Sequence, residues 1–227
     1  MGTGLLAGAL SPDERENLRG FEAAVRAVVE PNVIRKLYRV QDFLASIDLV
    51  DPRILNVGSS SVRLSVNSVN VDIVDKPDVD IVADAQSLPD LGQFDVVVAD
   101  AMLQYVPDPM RAVDSFERLL RPGGYLFVDA PWMQPYCPDR PDLKRFSRAE
   151  LLRLFERFDI VECGPSITSG SAIAYAACRV AGRLTGNRYV DFVFRVATTH
   201  LTWPLRYINA GAEESAGAFY LVARKRS

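Results

Sequence analysis

Short apolar runs that each close on a glycine or an acid set the pattern of this chain. Ile54-Leu55-Asn56-Val57 ends at Gly58, and a second run ends at Asp72. A third, Val79-Asp80-Ile81-Val82, leads to Asp84-Ala85, and a fourth is Phe94-Asp95-Val96-Val97-Val98. None alternates cleanly, which is expected of strands covered on both faces, as in a parallel α/β sheet. Pro109 to Leu120 instead carries Met110, Val113, Phe116, Leu119 and Leu120 at helical spacing. Gly123-Gly124 is expected to end that helix and turn into strand Tyr125 to Val128. Ser147-Arg148-Ala149-Glu150 is a capping box opening a helix to about Phe155. Asp159-Ile160-Val161 starts the next strand, and Phe219 to Ala223 reads as the last.

Helical patterns flank this series. Ser11-Pro12-Asp13-Glu14 predicts a helix start running to about Val29, and a second helix is expected from about Asn32 to Ile47. Roughly fifty-five residues separate the last two strands, far more than a hairpin needs. They predict helices at Ile173 to Leu184 and at Tyr189 to Trp203, the second rich in Val190, Phe192, Val193, Phe194 and Val196. Basic residues there are too few for a membrane-surface anchor. The chain is therefore expected to be one domain, 1–227, with N-terminal helices at 11–47. A helical insertion at 168–212 is expected to serve as a substrate lid or a dimer element.

Composition narrows the partners. A chain of 227 residues buries a full core. A net charge of −3 and a pI near 5.3 argue against a broad nucleic-acid surface. Cys137, Cys163 and Cys178 lack metal-type spacing, so reduced thiols in a cytoplasmic protein are expected, with no metal. No stretch is long and apolar enough to span a bilayer, and the start lacks the basic region of a signal peptide. The expected partner is a small molecule, with a homodimer as the protein–protein contact.

Ligands of parallel sheets sit beyond the carboxyl ends of the strands, where Gly58, Asp72, Asp84 and Asp100 fall. A glycine admits close backbone approach, and an acid on the next strand can accept both hydroxyls of a ribose. These runs, with Leu88-Pro89, Met102-Leu103-Gln104-Tyr105-Val106 and Leu119-Leu120-Arg121-Pro122-Gly123-Gly124, stand in an order that resembles the class I S-adenosylmethionine-dependent methyltransferases. The resemblance covers roughly Arg53 to Gly164, about half of the chain. It implies a Rossmann-like, doubly wound, mostly parallel seven-stranded sheet whose final strand is antiparallel, and S-adenosylmethionine as cofactor. By its positions Gly58 meets the methionine part, Asp72 with Ile73 holds the ribose, and Asp84 with Ala85 reads adenine. Ala99 and Asp100 would lie beside the sulfonium.

The chain departs from that family at Gly58-Ser59-Ser60-Ser61-Val62, which keeps only the first glycine of G-x-G-x-G. About a dozen residues separate Gly58 from Asp72, too few for a loop, a full helix and a strand. The first crossover helix is thus expected to shrink to a loop or a single turn. Ser59 and Ser60 would offer hydroxyls and amides to the cofactor carboxylate.

Methyl transfer from a sulfonium is an in-line displacement that gains from positioning, and for an oxygen nucleophile from a base. Asp129, Asp100 and His200 are the candidates, in that order. Pro131 to Phe146 resembles a segment of sugar and natural-product methyltransferases. Trp132 and Tyr136 would stack on the acceptor or, as an equal reading, cover the core. Arg145 would contact the acceptor, its other reading being a salt bridge with Asp142 that braces the loop. The expected activity is O-methylation of a sugar-containing or other natural product. The alternative is a catalytically silent partner protein of the same fold.

Overall fold

The computed structural model describes residues 34–60, 62–137 and 140–227. Seven strands form one sheet in the order β3-β2-β1-β4-β5-β7-β6. They are β1 (Ile54–Val57), β2 (Ser68–Asp72), β3 (Ile81–Val82), β4 (Phe94–Asp100), β5 (Leu120–Pro131), β6 (Asp159–Ile167) and β7 (Ala218–Arg224). β7 lies antiparallel between β5 and β6, and the pairs from β3 to β5 are parallel. All of β1 and nearly all of β4 are buried. The lack of alternation therefore did report strands covered on both faces.

The helices are α1 (Val40–Ser46), α2 (Pro109–Leu119), α3 (Arg148–Leu154), α4 (Ser169–Ala181), α5 (Arg188–Thr202) and the short α6 (Ala212–Ser215). One core gathers Leu55, Val97, Leu126 and Val128 with Val113 and Phe116 of α2 and Leu151 of α3. The other gathers Ile54, Val96, Val98, Phe127 and Tyr220 with Val40 and Phe43 of α1. Phe43 stacks on Phe127 at 5.3 Å between ring centroids, and Tyr38 on Tyr220 at 4.2 Å.

Three expectations need correction. The helix expected from Asn32 begins only at Val40 within the described residues. Residues 35–37 are instead captured by the end of β6: Lys36 bridges Ile167, and Leu37 N donates to Ser166 O at 2.7 Å. Gly123-Gly124 does not end α2, which stops at Leu119 and passes straight into β5. The glycines serve a β5 irregularity, where Gly123 has φ +70° and a Cβ on Gly124 would meet Asp95 O at 3.0 Å. The third run forms only the two-residue β3. The helix start at Ser11 lies outside the described residues.

The β1–β2 connection contains no helix among the described residues, as its length required. Two asparagines hold it instead. Asn56 and Asn70 are register partners on β1 and β2, and Asn56 Nδ2 donates to Asn70 Oδ1 at 3.2 Å. Both amides donate to Val62 O, at 2.9 and 3.2 Å, and Asn70 Nδ2 also reaches Asp78 O at 2.8 Å. Arg63 closes the outside, donating to Ser68 O and pairing with Asp80 at 2.8 Å.

The insertion after β6 is seated by small residues at the start of α4. Thr168 Oγ1 donates to Arg206 O, Ser169 Oγ to Ala210 O, and a Cβ on Gly170 would lie 1.8 Å from Leu205 O. No helix among the described residues is long and apolar enough to cross a membrane.

Asn70 is fully buried, so Asn70→Leu should destabilise the fold by about 1–3 kcal/mol, because Asp78 O loses its Asn70 donor and the Asn56 amide loses one of its two acceptors. Urea unfolding followed by circular dichroism measures this; stability equal to wild type would remove the asparagine pair as the loop's anchor.

Candidate active site

Two cavities open beyond the carboxyl ends of the strands and meet at Gly58, Tyr105 and Arg140. The first, about 370 Å³, is lined by Asp72, Ile73 and Val74 after β2, Asp84, Ala85 and Gln86 after β3, and Met102 and Val106 after β4. The second, about 420 Å³, is lined by Lys36, Asn56, Ser59, Ser60, Val62, Leu64, Asp100 and Cys137 among others.

Gly58 is required twice over. Its φ is +72°, which L side chains rarely adopt, and an added Cβ would sit 2.5 Å from Met102 Cβ. The chain then bends through Ser60, also at positive φ, so that Ser60 N donates to Asp72 Oδ2 at 3.0 Å. Val74 N donates to Asp72 Oδ1 at 3.0 Å. Asp72 is 2 % exposed, and each carboxylate oxygen retains acceptor capacity toward the cavity. That arrangement suits two vicinal hydroxyls. Arg140 Nη2 lies 3.9 Å from Asp72 Oδ1 and over the Tyr105 ring.

Asp84 caps the turn Ala85–Ser87, accepting from Gln86 N at 2.9 Å and from the Gln86 side chain on both oxygens. Gln86 in turn accepts from Asp108 N, which ties this corner to the start of α2. Ala85 is buried at the cavity wall. Ser59 is buried with its hydroxyl unpartnered, and Ser60 Oγ accepts from Lys76 Nζ at 3.0 Å.

At the tip of β4, Asp100 is the register partner of Asp129 on β5, and Lys36 lies between their carboxylates. Burial of Lys36 favours its neutral form, but Asp129 and Asp100 outweigh that and hold its ammonium above the usual range. Burial pushes the Asp129 carboxyl up to about 7, against the pull of Lys36 and with the push of Asp100. Tyr105 is pushed up to about 12 by burial and by its hydrogen bond with Cys137.

Gly58, Ser59, Ser60, Asp72, Ile73, Asp84, Ala85 and Asp100 thus line the paired cavities. Ala99 does not. Strand alternation sends Val98 and Asp100 into the second cavity and buries Ala99 in the opposite core. Asp129 lies beneath Lys36, lining neither cavity, and His200 is exposed on α5, away from both. Trp132 packs on the core with Nε1 bonded to Glu214 O, and Tyr136 is 59 % exposed. Arg145 makes a bidentate pair with Asp142, which also accepts from Cys137 N; Arg145 donates as well to Gln134 O and Pro135 O. It braces its loop and lines neither cavity. The site residues that the pattern missed are Lys36, Tyr105 and Arg140. Only Tyr105 carried a signal, its place in the run after the fourth strand.

Residues 53–128 match a family model described as a methyltransferase domain. The ubiquinone biosynthesis O-methyltransferase of Xanthomonas oryzae pv. oryzae is 32% identical over 107 residues, which cover 37% of this chain and 45% of that one. The chain thus spans about half the length of the curated relatives it matches. Among solved structures, the [4+2]-cyclase SpnF aligns with a TM-score of 0.51 at 23% identity, covering 83% of this chain and 81% of the other. A Burkholderia thailandensis 1,6-didemethyltoxoflavin-N1-methyltransferase, solved with 1,6-didemethyltoxoflavin and S-adenosylhomocysteine, aligns with a TM-score of 0.50 at 15% identity, covering 95% and 84%. These two establish the fold alone. Residues 53–128 are thus similar to a methyltransferase domain, and the sheet order is that of the Rossmann-like fold these structures share.

Gly58→Ala should weaken binding of S-adenosylhomocysteine by at least about tenfold while lowering stability by about 1–3 kcal/mol through the strained φ and the Met102 clash. Calorimetric titration and thermal unfolding measure the two effects; an affinity equal to wild type would show that the Gly58 corner does not shape the cofactor cavity.

Proposed function

We propose that this protein transfers a methyl group from S-adenosylmethionine to a hydroxyl oxygen of a small molecule. The arrangement at Asp72 carries the reading: a buried carboxylate, oriented by two backbone amides, faces a cavity whose far wall is Asp84 and Ala85. The adenosine half of the cofactor fits the first cavity. The methionine half and the acceptor share the second.

Oxygen as the acceptor atom is favoured by Asp100. It lines the second cavity and can take the hydroxyl proton as the oxygen attacks the methyl carbon and the sulfur departs as a neutral thioether. The match to ubiquinone biosynthesis O-methyltransferases points the same way. Asp100 replaces Asp129 as the first choice of base because Asp129 has no access to the cavity. A sugar-containing or other natural-product acceptor fits the mixed lining, with Val40, Val62 and Leu64 beside Gln41, Asn56 and Tyr105. No described residue of the insertion lines either cavity; it reaches the acceptor side through Arg179, which donates to Tyr136 O, and through Ser171, which accepts from Arg35 N beside Lys36. A dimer contact through the exposed apolar side chains of α5 is therefore preferred over a lid. The cytoplasmic setting expected of three free cysteines completes the reading.

Asp72→Ala should weaken S-adenosylhomocysteine binding by about 1.5–3 kcal/mol, the scale of hydrogen bonds to a charged group. An unchanged dissociation constant in a folded variant would remove the ribose assignment. On the acceptor side, labelled S-adenosylmethionine offered with a panel of phenols, catechols and glycosides should yield O-methyl products. With the best acceptor, Asp100→Asn should lower turnover on the order of 100-fold. Labelled product on nitrogen or carbon, or equal turnover in the variant, would contradict the oxygen-and-base reading.

A further inference from the structure

Asp72, Asp84 and Ala85 can hold the adenosine of either the methyl donor or its demethylated product, because the two ligands share that half. They differ at sulfur, where the donor carries a methyl group and a positive charge and the product carries neither. Discrimination between them therefore needs charge near the sulfur. On the cofactor reading above, the sulfur falls where the two cavities meet and shares the second cavity with Asp100.

Asp100 belongs to a three-member cluster. Its register partner Asp129 is 2 % exposed, and Asp129 Oδ2 makes no hydrogen bond. Lys36 Nζ stands 3.5 Å from Asp100 Oδ1 and 3.8 Å from Asp129 Oδ2. Two carboxylates and one ammonium leave one negative charge in excess when both aspartates are ionised, and none when one holds a proton. The other elements packed here do not cancel that charge. Ser166 on β6 is neutral, and Tyr220, paired with Asp129 on β7, commits its hydroxyl to Glu162 at 2.5 Å. Arg39 acts on Lys36 only by mild repulsion. Arg140, at the junction of the two cavities, is itself engaged by Asp72 at 3.9 Å, and the hydroxyl of Tyr105 engages Cys137.

We propose that Lys36, Asp100 and Asp129 form a charge-sensing cluster that makes the site prefer the sulfonium donor over its neutral thioether product, to a degree set by pH. Asp129 supplies the switch. Its carboxyl is raised to about 7, chiefly by burial, so below that value it holds a proton and the cluster is neutral. Above it the cluster carries its net negative charge and attracts a cation. A unit charge about 10 Å away, through an effective dielectric of about 20, changes a cation's affinity on the order of tenfold. By linkage, donor binding near neutral pH expels a proton from Asp129, and product binding does not. The device favours donor entry after each turnover and limits product inhibition.

Calorimetric titration of the full chain with S-adenosylmethionine and with S-adenosylhomocysteine tests this. The donor-to-product affinity ratio should rise on the order of tenfold between about pH 6 and about pH 8.5 in the wild type. In Asp129→Asn the rise should vanish. Titration of the ligands' own groups is common to both proteins and cancels in that comparison. Lys36→Gln provides a second variant should Asp129→Asn not fold: losing the ammonium raises Asp129 further, so the midpoint of the rise should move to higher pH. A flat ratio in the wild type, the same rise in Asp129→Asn, or an unmoved midpoint in Lys36→Gln would overturn the proposal while leaving the cofactor reading intact. Failure of both ligands to bind at any pH would overturn the cofactor reading itself, and the proposal with it.

Discussion

The amide pair Asn56–Asn70 is the interaction on which the rest of the site depends. In a doubly wound sheet a crossover helix usually covers the face between the first two strands. The connection from Val57 to Ser68 is too short for one. Apolar residues at Asn56 and Asn70 would leave its backbone carbonyls without donors. The two amides supply them, both converging on Val62 O. A buried polar network of this kind is stabilising only when it is fully satisfied, and this one meets that condition through Asp78 O and the Arg63–Asp80 pair.

That anchor sets the geometry of the first cavity. With Val62 fixed, the chain between it and Gly58 turns tightly, and Ser60 takes a positive φ that aims its amide at Asp72. The missing glycines of the loop are therefore compatible with an ordered site. Gly58 meets the demand for close approach beneath Met102, and Ser59 and Ser60 occupy positions where side chains fit. Each carboxylate on the cofactor side is oriented before any ligand arrives: Asp72 by two amides, Asp84 by Gln86, Asp100 by Lys36. Such preorganisation lowers the ordering cost of binding.

The sheet was legible because its strands are buried on both faces and punctuated by residues with clear turn roles. The cofactor-side residues were legible for the same reason, since a strand end fixes its own position. Legibility failed where side-chain direction or a distant segment decides. Ala99 and Asp100 are adjacent, yet strand parity buries one in the core and opens the other to the cavity. Asp129 was expected at a strand end, but β5 continues to Pro131 and Lys36 covers the Asp129 carboxylate. Lys36 itself lay hidden in an expected helix, because nothing local announces that residues 35–37 will pair with the end of β6. Trp132, Tyr136 and Arg145 flank or sit in a loop braced by the internal Asp142–Arg145 salt bridge. His200 is exposed on its helix and lines neither cavity.

The role of this corner turns on whether it binds the cofactor through Asp72, Asp84 and Ala85. A crystal structure of the protein grown with S-adenosylhomocysteine tests that most directly. It should show the ribose hydroxyls on the Asp72 carboxylate, Arg140 drawn away from it, adenine against Asp84 and Ala85, and Val62 O still held by Asn56 and Asn70. A ligand seated elsewhere, or Asp72 still facing Arg140 with no ribose contact, would contradict it.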